Sequence, residues 1–234
     1  MLIVVDGIDG SGKGTVLETW KNYLAQEGNA IFDLRKYCLE NKDYPPLEEI
    51  RSYDFISSVE PTYAGVGRAI RFELVGKDND YPPRAIAEAF SLDRLILYKK
   101  LIIPLLKDGR CIIQERSVSS SIAYQTQTPD LNIEVVSNLI GNKLALEYRP
   151  DHLVLMDIDA EEALRRLAGR KEKQDNSIFE KLDFLKKMAE FYKSKVYQNV
   201  FTSRGTQIHY LSSEQNIDIM KQNSINLLKS ILKK

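Results

Sequence analysis

Short apolar runs alternate along this chain with longer stretches in which apolar positions recur at roughly every third or fourth residue. The short runs predict core strands at Leu2–Asp6, Cys111–Gln114, Leu153–Asp157 and Gln207–Leu211, with another at Ala30–Leu34, Phe55–Val59 or both. The longer stretches predict helices at Thr15–Glu27, Gly67–Val75, Arg84–Lys107, Ile133–Glu147, Asp159–Ala168, Ile178–Thr202 and Ile217–Leu232. Because strands and helices alternate, we expect an α/β fold in which crossover helices flank a parallel sheet.

One segment does not follow this alternation. Residues Arg35–Tyr53 lack a clear period and contain Tyr44-Pro45-Pro46 ahead of a short predicted helix at Leu47–Arg51. We interpret this segment, about residues 35–53, as an insertion. No linker, internal repeat or low-complexity stretch interrupts the remainder, so a single domain over residues 1–234 is expected.

Composition narrows the class of protein. The 33 basic and 33 acidic residues cancel, which argues against a large nucleic-acid-binding surface. Cys38 and Cys111 form neither a metal-binding spacing nor a disulfide framework, so a reducing compartment is expected. The longest apolar stretch, around Leu95–Leu106, is too short to span a bilayer, and the first strand leaves no room for a signal peptide. We therefore expect a cytoplasmic protein with no nucleic-acid or membrane partner.

The glycine-rich loop after the first strand is the strongest chemical signal. Gly7-Ile8-Asp9-Gly10-Ser11-Gly12-Lys13-Gly14-Thr15 follows an apolar run and opens a predicted helix. In that context the pattern predicts a phosphate cradle rather than an ordinary glycine-rich turn. Backbone N–H groups and the helix N-terminus would face the anion, and Lys13 would add a full positive charge. Asp9 would be electrostatically costly there unless it serves a metal or a substrate hydroxyl.

Further polar residues follow the other predicted strands, at the sheet edge where ligands bind in such folds. Glu115 and Arg116 stand at the end of one strand, where an acid–arginine pair would place a carboxylate near magnesium and a guanidinium near a phosphate. A structural ion pair that caps the strand is the alternative. On the helix predicted for Arg84–Lys107, Phe90 and Arg94 share a face and could stack on and hydrogen-bond a base, although a lone phenylalanine is more often a core residue.

A charged run, Arg165–Asp175, follows the strand predicted at Leu153–Asp157 and one helix. Most runs of this kind are solvated helix ends. This one contains Gly169 and is expected opposite the phosphate loop. That placement favours a mobile lid, about residues 166–178, which brings arginines onto a transferring phosphoryl group.

In this order the motifs resemble those of the thymidylate kinase family, within the P-loop nucleoside monophosphate kinase group, over nearly the whole chain. The resemblance is carried by Asp6 to Thr15; by Glu60-Pro61-Thr62 with Gly67, Ile70 and Arg71; by Phe90, Asp93 and Arg94; by Glu115-Arg116 through Ser120, Ser121, Ala123, Tyr124 and Gln125; and by Asp175 with Phe179-Glu180. It implies a three-layer P-loop NTPase fold with a five-stranded parallel sheet and a lid. It also implies ATP-dependent phosphorylation of dTMP to dTDP, magnesium as cofactor and a homodimer.

The resemblance implies a role for each matching residue. Lys13 would bind the ATP phosphates together with Gly7, Gly10, Ser11, Gly12, Gly14 and Thr15. The acceptor site would be lined by Asp9, Glu60, Tyr63, Arg71, Phe90, Arg94, Arg116, Ser121 and Tyr124. Within it Phe90 would stack on thymine, Arg94 would bind the edge of the base, and Tyr124 would lie against the deoxyribose. Arg116 would hold the acceptor phosphate with Tyr63 and Arg71, and Asp9 would meet the sugar hydroxyl or the phosphate region.

Catalytic roles would fall to Lys13, Asp9, Arg116, Arg166 and Arg170. The two last arginines would act from the lid, because the loop carries Gly10-Ser11 where it could have carried an arginine. Thr15 and Glu115 are the candidates for holding magnesium. The chain departs from the family in having Gly14 after Lys13, Ser117 after Arg116, and the inserted segment Arg35–Tyr53.

The sequence is also compatible with two other functions. Glu115-Arg116-Ser117 together with Glu60-Pro61 also resembles deoxyribonucleoside kinases, in which Glu60 would deprotonate a nucleoside 5′-hydroxyl. A monophosphate acceptor needs no such base, because its oxygen is already anionic. The second alternative is a protein that binds nucleotide without catalysis, although a binding module needs neither a second set of arginines nor a lid.

Overall fold

A six-stranded parallel sheet forms the centre of the molecule. The computed structural model describes residues 1–76, 80–169 and 182–233. Its strands are β1 (Leu2–Asp6), β2 (Ile31–Asp33), β3 (Phe55–Val59), β4 (Cys111–Glu115), β5 (His152–Asp157) and β6 (Gln207–Ser212). They lie in the order β2-β3-β4-β1-β5-β6, and every pairing is parallel. The phosphate-loop strand β1 is therefore central, between the strand that ends in Glu115 and the strand that precedes the lid.

Helices connect the strands. They are α1 (Lys13–Gln26), α2 (Leu34–Asn41), α3 (Leu47–Ile50), α4 (Gly65–Ala69), α5 (Pro83–Leu97), α6 (Ile103–Lys107), α7 (Val118–Gln125), α8 (Ile133–Asn138), α9 (Ile140–Glu147), α10 (Ala160–Ala168), α11 (Leu182–Lys193), α12 (Lys195–Thr202) and α13 (Ile217–Leu232). Two π-helical turns, Ile70–Leu74 and Tyr98–Ile102, extend α4 and join α5 to α6. In the described part of the chain, no helix has both the length and the apolar character needed to cross a membrane.

The alternation of side chains along β1 divides the core into two faces. Leu2 and Val4 belong to one buried apolar cluster, whereas Ile3 and Val5 belong to the other. The second cluster includes Trp20 of α1, whose indole N–H donates a hydrogen bond to the Ser224 carbonyl of α13, 2.9 Å away. The structure thus has helix, sheet and helix layers, as the sequence pattern and the resemblance predicted.

The sheet has one strand more than the resemblance implied. The resemblance implied five strands, but the sheet has six in the described chain, because both candidate runs at Ala30–Leu34 and Phe55–Val59 form strands. Ile31–Asp33 pairs with Phe55–Ser57 at the open edge of β3. Since β3 offers an unpaired edge there, a short apolar run extends the sheet although its residues are only half-buried.

Tertiary context also changes several helices. The helix predicted over Arg84–Lys107 is interrupted at Tyr98–Ile102, next to Pro104, which has no N–H to donate to the carbonyl one turn earlier. The helix predicted over Ile133–Glu147 is broken at Leu139, whose ψ of 136° is extended. Ser194 separates α11 from α12 by capping the latter through its side chain.

The segment Arg35–Tyr53 is more regular than predicted. It contains α2, which Asp33 caps by accepting a hydrogen bond from Lys36 N, as well as the short α3. Helix α2 packs against β3 and buries Leu34 and Cys38. The interpretation of this segment as irregular is therefore wrong.

Helix α7 at Val118–Gln125 is a further helix that no periodicity predicted.

Candidate active site

The phosphate loop lies between β1 and α1, as predicted. Lys13 is 4% exposed, and its Nζ donates to the carbonyls of Gly7 at 3.0 Å and Ile8 at 2.8 Å. Burial, together with the nearby Arg116 guanidinium, lowers the pKa of Lys13 to about 8. An ammonium group that donates its hydrogen bonds to loop carbonyls is well placed to exchange them for an anion.

Two glycines are required by the geometry of this loop. Gly10 has φ +82°, and a Cβ at that position would lie 2.9 Å from the Ala163 carbonyl carbon of α10. Gly7 has φ +142° and would bring a Cβ within 3.0 Å of Met156 on β5. The loop therefore packs closely against the strand and helix that lead to the predicted lid. Ser11 is also buried, and its Oγ has no hydrogen-bond partner among the described residues.

Asp9 and Arg116 form an ion pair across the sheet edge, joining the end of β1 to the end of β4. Arg116 Nη1 also donates to Ser120 Oγ at 3.0 Å, and its guanidinium lies 5.4 Å from the centre of the Tyr124 ring. Tyr124 OH in turn donates to Asp9 Oδ2 at 3.5 Å. The structure therefore brings together three residues that the sequence placed at the acceptor's sugar and phosphate.

Asp6, the last residue of β1, connects the loop to the residues around Arg116. Its carboxylate is fully buried and accepts hydrogen bonds from Gly7 N, Ser119, Ser120 and, at 3.0 Å, Tyr192 OH. Burial lowers the pKa of Arg116, but the carboxylates of Asp9 and Asp6 raise it well above its ordinary value. Sequence reasoning included Asp6 in a motif without assigning it this role. A carboxylate that ends an otherwise apolar strand was the available signal.

Glu60 and Arg94 form a second, deeper ion pair. Glu60 Oε2 lies 2.6 Å from Arg94 Nη2, and Glu60 Oε1 accepts from Gln114 Nε2 at 3.0 Å. Burial raises the pKa of Glu60 to about 7, although Arg94 opposes that shift. Arg94 Nη1 also donates to Ser121 Oγ at 3.0 Å and to Asn142. Arg94 is thus buried among protein partners, an environment that its spacing from Phe90 did not predict.

Asp93 performs a positioning task that sequence reasoning left unassigned. Its carboxylate accepts hydrogen bonds from Thr62 N and from Thr62 Oγ1, both at 2.7 Å. The hydroxyl of Tyr44, in the inserted segment, lies 3.1 Å from Thr62 Oγ1, within hydrogen-bond distance. Phe90 is half-buried on α5. The segment after β3 is therefore fixed by α5 on one side and by the insertion on the other.

Tyr63 and Arg71 lie together after β3. The Arg71 guanidinium carbon is 4.0 Å from the centre of the Tyr63 ring, and Arg71 Nε donates to the Pro61 carbonyl at 2.9 Å. Burial lowers the pKa of Arg71, and the carboxylate of Glu115 opposes that effect. The Glu115 carboxylate also raises the pKa of Lys13, so it favours the charged form of both cations.

The two candidate magnesium ligands lie next to the loop. Thr15 is half-exposed in the first turn of α1, and Glu115 Oε2 is 3.5 Å from the position of a Cβ on Gly14. No cluster of three or more His, Cys, Asp or Glu that could hold a metal occurs among the described residues. That donor set fits magnesium bound mainly by phosphates and water, since this ion uses only one or two carboxylates at nucleotide sites.

The start of the predicted lid faces the loop. Arg166 donates to Glu162 at 2.8 Å and to the Ser213 carbonyl at 2.7 Å, whereas Arg170 lies outside the described residues, as do Asp175 and Phe179-Glu180. A cavity of about 300 Å³ lies between the loop, α10 and the segment after β6. Its lining includes Gly12, Thr15, Arg166, Ser213 and Gln215. The contribution of Ser213 and Gln215 has no counterpart in the sequence-based predictions.

A glycine loop between a central parallel strand and a helix, with a lysine inside it and a second cationic site beside it, defines a P-loop phosphate-binding protein. The sequence model of the Thymidylate kinase family matches residues 48–223. A probable thymidylate kinase of Thermococcus onnurineus is 32% identical, over 82% of this chain and 82% of that protein. A thymidylate kinase of Desulfotalea psychrophila is 28% identical, over 99% of this chain and 96% of that protein. A thymidylate kinase of Clostridium novyi is also 28% identical, over 81% of this chain and 82% of that protein. The chain belongs to the thymidylate kinase family.

Proposed function

We propose that the protein transfers the γ-phosphoryl group of ATP to dTMP, producing dTDP and ADP. Membership of the family supports this reaction. The observation that carries it in the structure is the Asp9–Arg116 pair, which joins the donor loop to the acceptor side of the sheet edge. A donor site and an acceptor site that share an ion pair can hold two phosphates close enough for direct transfer.

The mechanism rests on positioning and on neutralisation of charge. Lys13 and the loop amides of Gly7, Gly10, Ser11, Gly12, Gly14 and Thr15 bind the ATP phosphates. Arg116 leaves its contact with Asp9 to hold the acceptor phosphate, and Asp9 is then free to meet the sugar hydroxyl. The acceptor oxygen is already anionic, so in-line transfer requires no general base. Lid arginines Arg166 and Arg170 would add charge at the transferring group when the lid closes and excludes water.

The acceptor site would combine stacking with polar contacts. Phe90 would stack on thymine, while Ser121 and the remaining donor of Arg94 bind its edge. Tyr124, held beside Asp9 and Arg116, would pack against the deoxyribose. Tyr63 and Arg71 would complete the phosphate side. Glu60 serves this site as the buried partner of Arg94.

Magnesium is part of this proposal. The Thr15 hydroxyl and the Glu115 carboxylate would hold it, directly or through water, and when bound it would neutralise charge on the ATP phosphates. We also propose a homodimer, a cytoplasmic location and one kinase domain over residues 1–234. Leu92 on α5 and Ile140 on the adjacent α9 are exposed apolar side chains that a second subunit could cover. Sedimentation analysis of the purified protein tests the dimer.

The decisive experiment offers ATP and magnesium with thymidine, dTMP, dUMP and other monophosphates in parallel. We expect dTDP from dTMP and no product from thymidine. A nucleoside kinase would need Glu60 as a base, but both Glu60 oxygens are bonded and the residue is 3% exposed. Phosphorylation of thymidine with dTMP ignored would overturn the proposal, and so would ATP binding without transfer to any acceptor.

Lys13→Ala provides the matched variant for this assay. It should remove most of the turnover, because it deletes the full positive charge of the phosphate loop. Lys233→Ala, which removes an exposed lysine near the end of α13, is the control and should retain activity. Near-normal turnover in Lys13→Ala would contradict the role of the loop.

A further inference from the structure

The inserted segment brings a cation to the acceptor side of the site. Arg35 lies in the first turn of α2, and its guanidinium carbon is 5.6 Å from the centre of the Tyr63 ring. The Arg71 guanidinium lies 4.0 Å from the same ring centre. One buried tyrosine therefore has two arginines within cation–π distance, one from the insertion and one from the segment after β3.

Neither of these two cations has a salt-bridge partner in the part of the chain that the structure describes. Arg35 is half-buried and makes no hydrogen bond or salt bridge with any residue in the described ranges. Arg71 donates only to the carbonyls of Pro61 and Thr62, and its Nη1 has no partner in those ranges. Burial lowers the pKa of Arg71, and the positive charge of Arg35 lowers it further, so the two guanidiniums are close enough to repel each other.

Repulsion of this kind is relieved when an anion binds between or beside the two cations. Directly after β3, Glu60 N donates to the carbonyl of Glu115 at the end of β4, 2.9 Å away, and Arg71 Nε donates to the carbonyl of the next residue, Pro61, also at 2.9 Å. Arg116, which follows Glu115, pairs with Asp9. The Arg35–Tyr63–Arg71 group therefore lies on the acceptor side of the site. The nearest anion that the proposed reaction supplies there is the phosphate of the acceptor nucleotide.

We propose that Arg35 is a phosphate-binding residue of the acceptor site, contributed by the inserted helix α2. This inference rests on the proposed function for the identity of the acceptor. It assigns the insertion a role in binding the monophosphate, since α2 is fixed to β3 by Leu34 and Cys38 and so holds Arg35 beside Tyr63. The Tyr63 ring keeps the two guanidiniums in place before the anion arrives.

The test compares a nucleotide with its nucleoside in direct binding measurements. Arg35→Ala should weaken dTMP binding about tenfold, the lower end for a charged hydrogen bond, since the arginine is only half-buried. Thymidine, which lacks the phosphate, should bind Arg35→Ala as it binds the wild type. Arg35→Lys should recover part of the affinity for dTMP. Lys36→Ala removes the same charge from an exposed neighbour on the same helix and should change neither ligand.

The outcomes separate this inference from the proposed function. The wild type making no dTDP from dTMP and ATP would refute the proposed function. A wild type that prefers dTMP to thymidine, with the preference intact in Arg35→Ala, would refute the inference alone. Equal weakening of dTMP and thymidine would also refute it, because that pattern means Arg35 only supports the shape of the pocket. Thermal unfolding of each variant verifies that the compared proteins are folded.

Discussion

Arg116 adopts an unfavourable backbone conformation at the sheet edge. Its φ is +64°, a left-handed conformation that costs a residue with a Cβ about 1–2 kcal/mol. The backbone is held there because Arg116 N donates to the Val5 carbonyl at 2.9 Å while the side chain reaches Asp9. Strain retained at a charged residue in a cleft is a frequent feature of functional sites.

This strain predicts a difference between two variants that both lack the guanidinium. Arg116→Gly should be more stable than Arg116→Ala by about 1 kcal/mol, because glycine adopts positive φ without penalty. Both variants should lose most of the phosphotransferase activity. Chemical denaturation of the two proteins measures the difference. An alanine variant as stable as the glycine variant would mean that position 116 is not strained.

Lys13 makes nucleotide binding depend on pH. In the free protein burial lowers its pKa to about 8, and bound phosphates should raise it again, because a nearby anion favours the charged form. Above about pH 8 binding must therefore take up a proton, and ATP affinity should fall by up to tenfold per pH unit. Calorimetry at about pH 9 in buffers of different ionisation enthalpy measures the uptake. Lys13→Ala should lack it, and a dissociation constant independent of pH would contradict the prediction.

At the level of elements, α5 and α9 pack so closely that only glycine fits at position 141. A Cβ there would overlap the Ser91 carbonyl oxygen and lie 2.8 Å from the Ser91 carbonyl carbon. Gly141 N also donates to Ser91 Oγ at 2.9 Å. Since α5 carries both Phe90 and Arg94, this contact positions the proposed base site as well as the core.

Gly141→Ala should therefore destabilise the protein by about 3 kcal/mol or more, because the clash is with backbone and cannot be relieved by a side-chain rotation. Weaker dTMP binding should accompany the loss. Gly169→Ala is the matched control, since a Cβ there meets its nearest atoms at 3.7 Å without positive φ. Urea unfolding of both variants checks the prediction. Equal stability would show that α5 and α9 can separate without cost.

The elements that the sequence predicted are those with a strong local pattern. β1, α1 and α13 were predicted because their apolar positions repeat over a few residues. Helix α7 was not, because Val118 and Ser119 are as buried as Ile122 and Tyr124, so no polar face marks its period. Gly141 is an isolated glycine in a helical pattern, and that pattern alone does not predict its close contact with α5.

At the scale of the whole molecule, the sequence predicted that certain strand-end residues lie close together, but it did not predict how the buried charges pair. Strand ends meet at one edge of a parallel sheet, so Asp9 and Arg116 could be expected near each other although 107 positions separate them. The partners of Arg94 could not be expected. Glu60 and Asn142 lie 34 and 48 positions away, and only tertiary packing brings them to the same guanidinium.

The inserted segment shows the same limit. Its residues contain no long periodic pattern, yet the structure adds β2 to the sheet, packs α2 on β3 and brings Tyr44 to Thr62. These contacts depend on the exposed edge of β3 and on α5, neither of which is encoded within the segment. The family match begins at residue 48, so α1 and most of the insertion lie outside it.

The single tryptophan of the chain gives the molecule a built-in optical reporter. Trp20 is fully buried between α1 and α13, and the cavity beside the phosphate loop extends to Ile217 and Met220 at the start of α13. Separation of these helices would expose the indole ring to water and shift its fluorescence emission to longer wavelength. Emission should therefore report how firmly the donor half of the site is assembled, whereas variants confined to the acceptor half should leave the native spectrum unchanged.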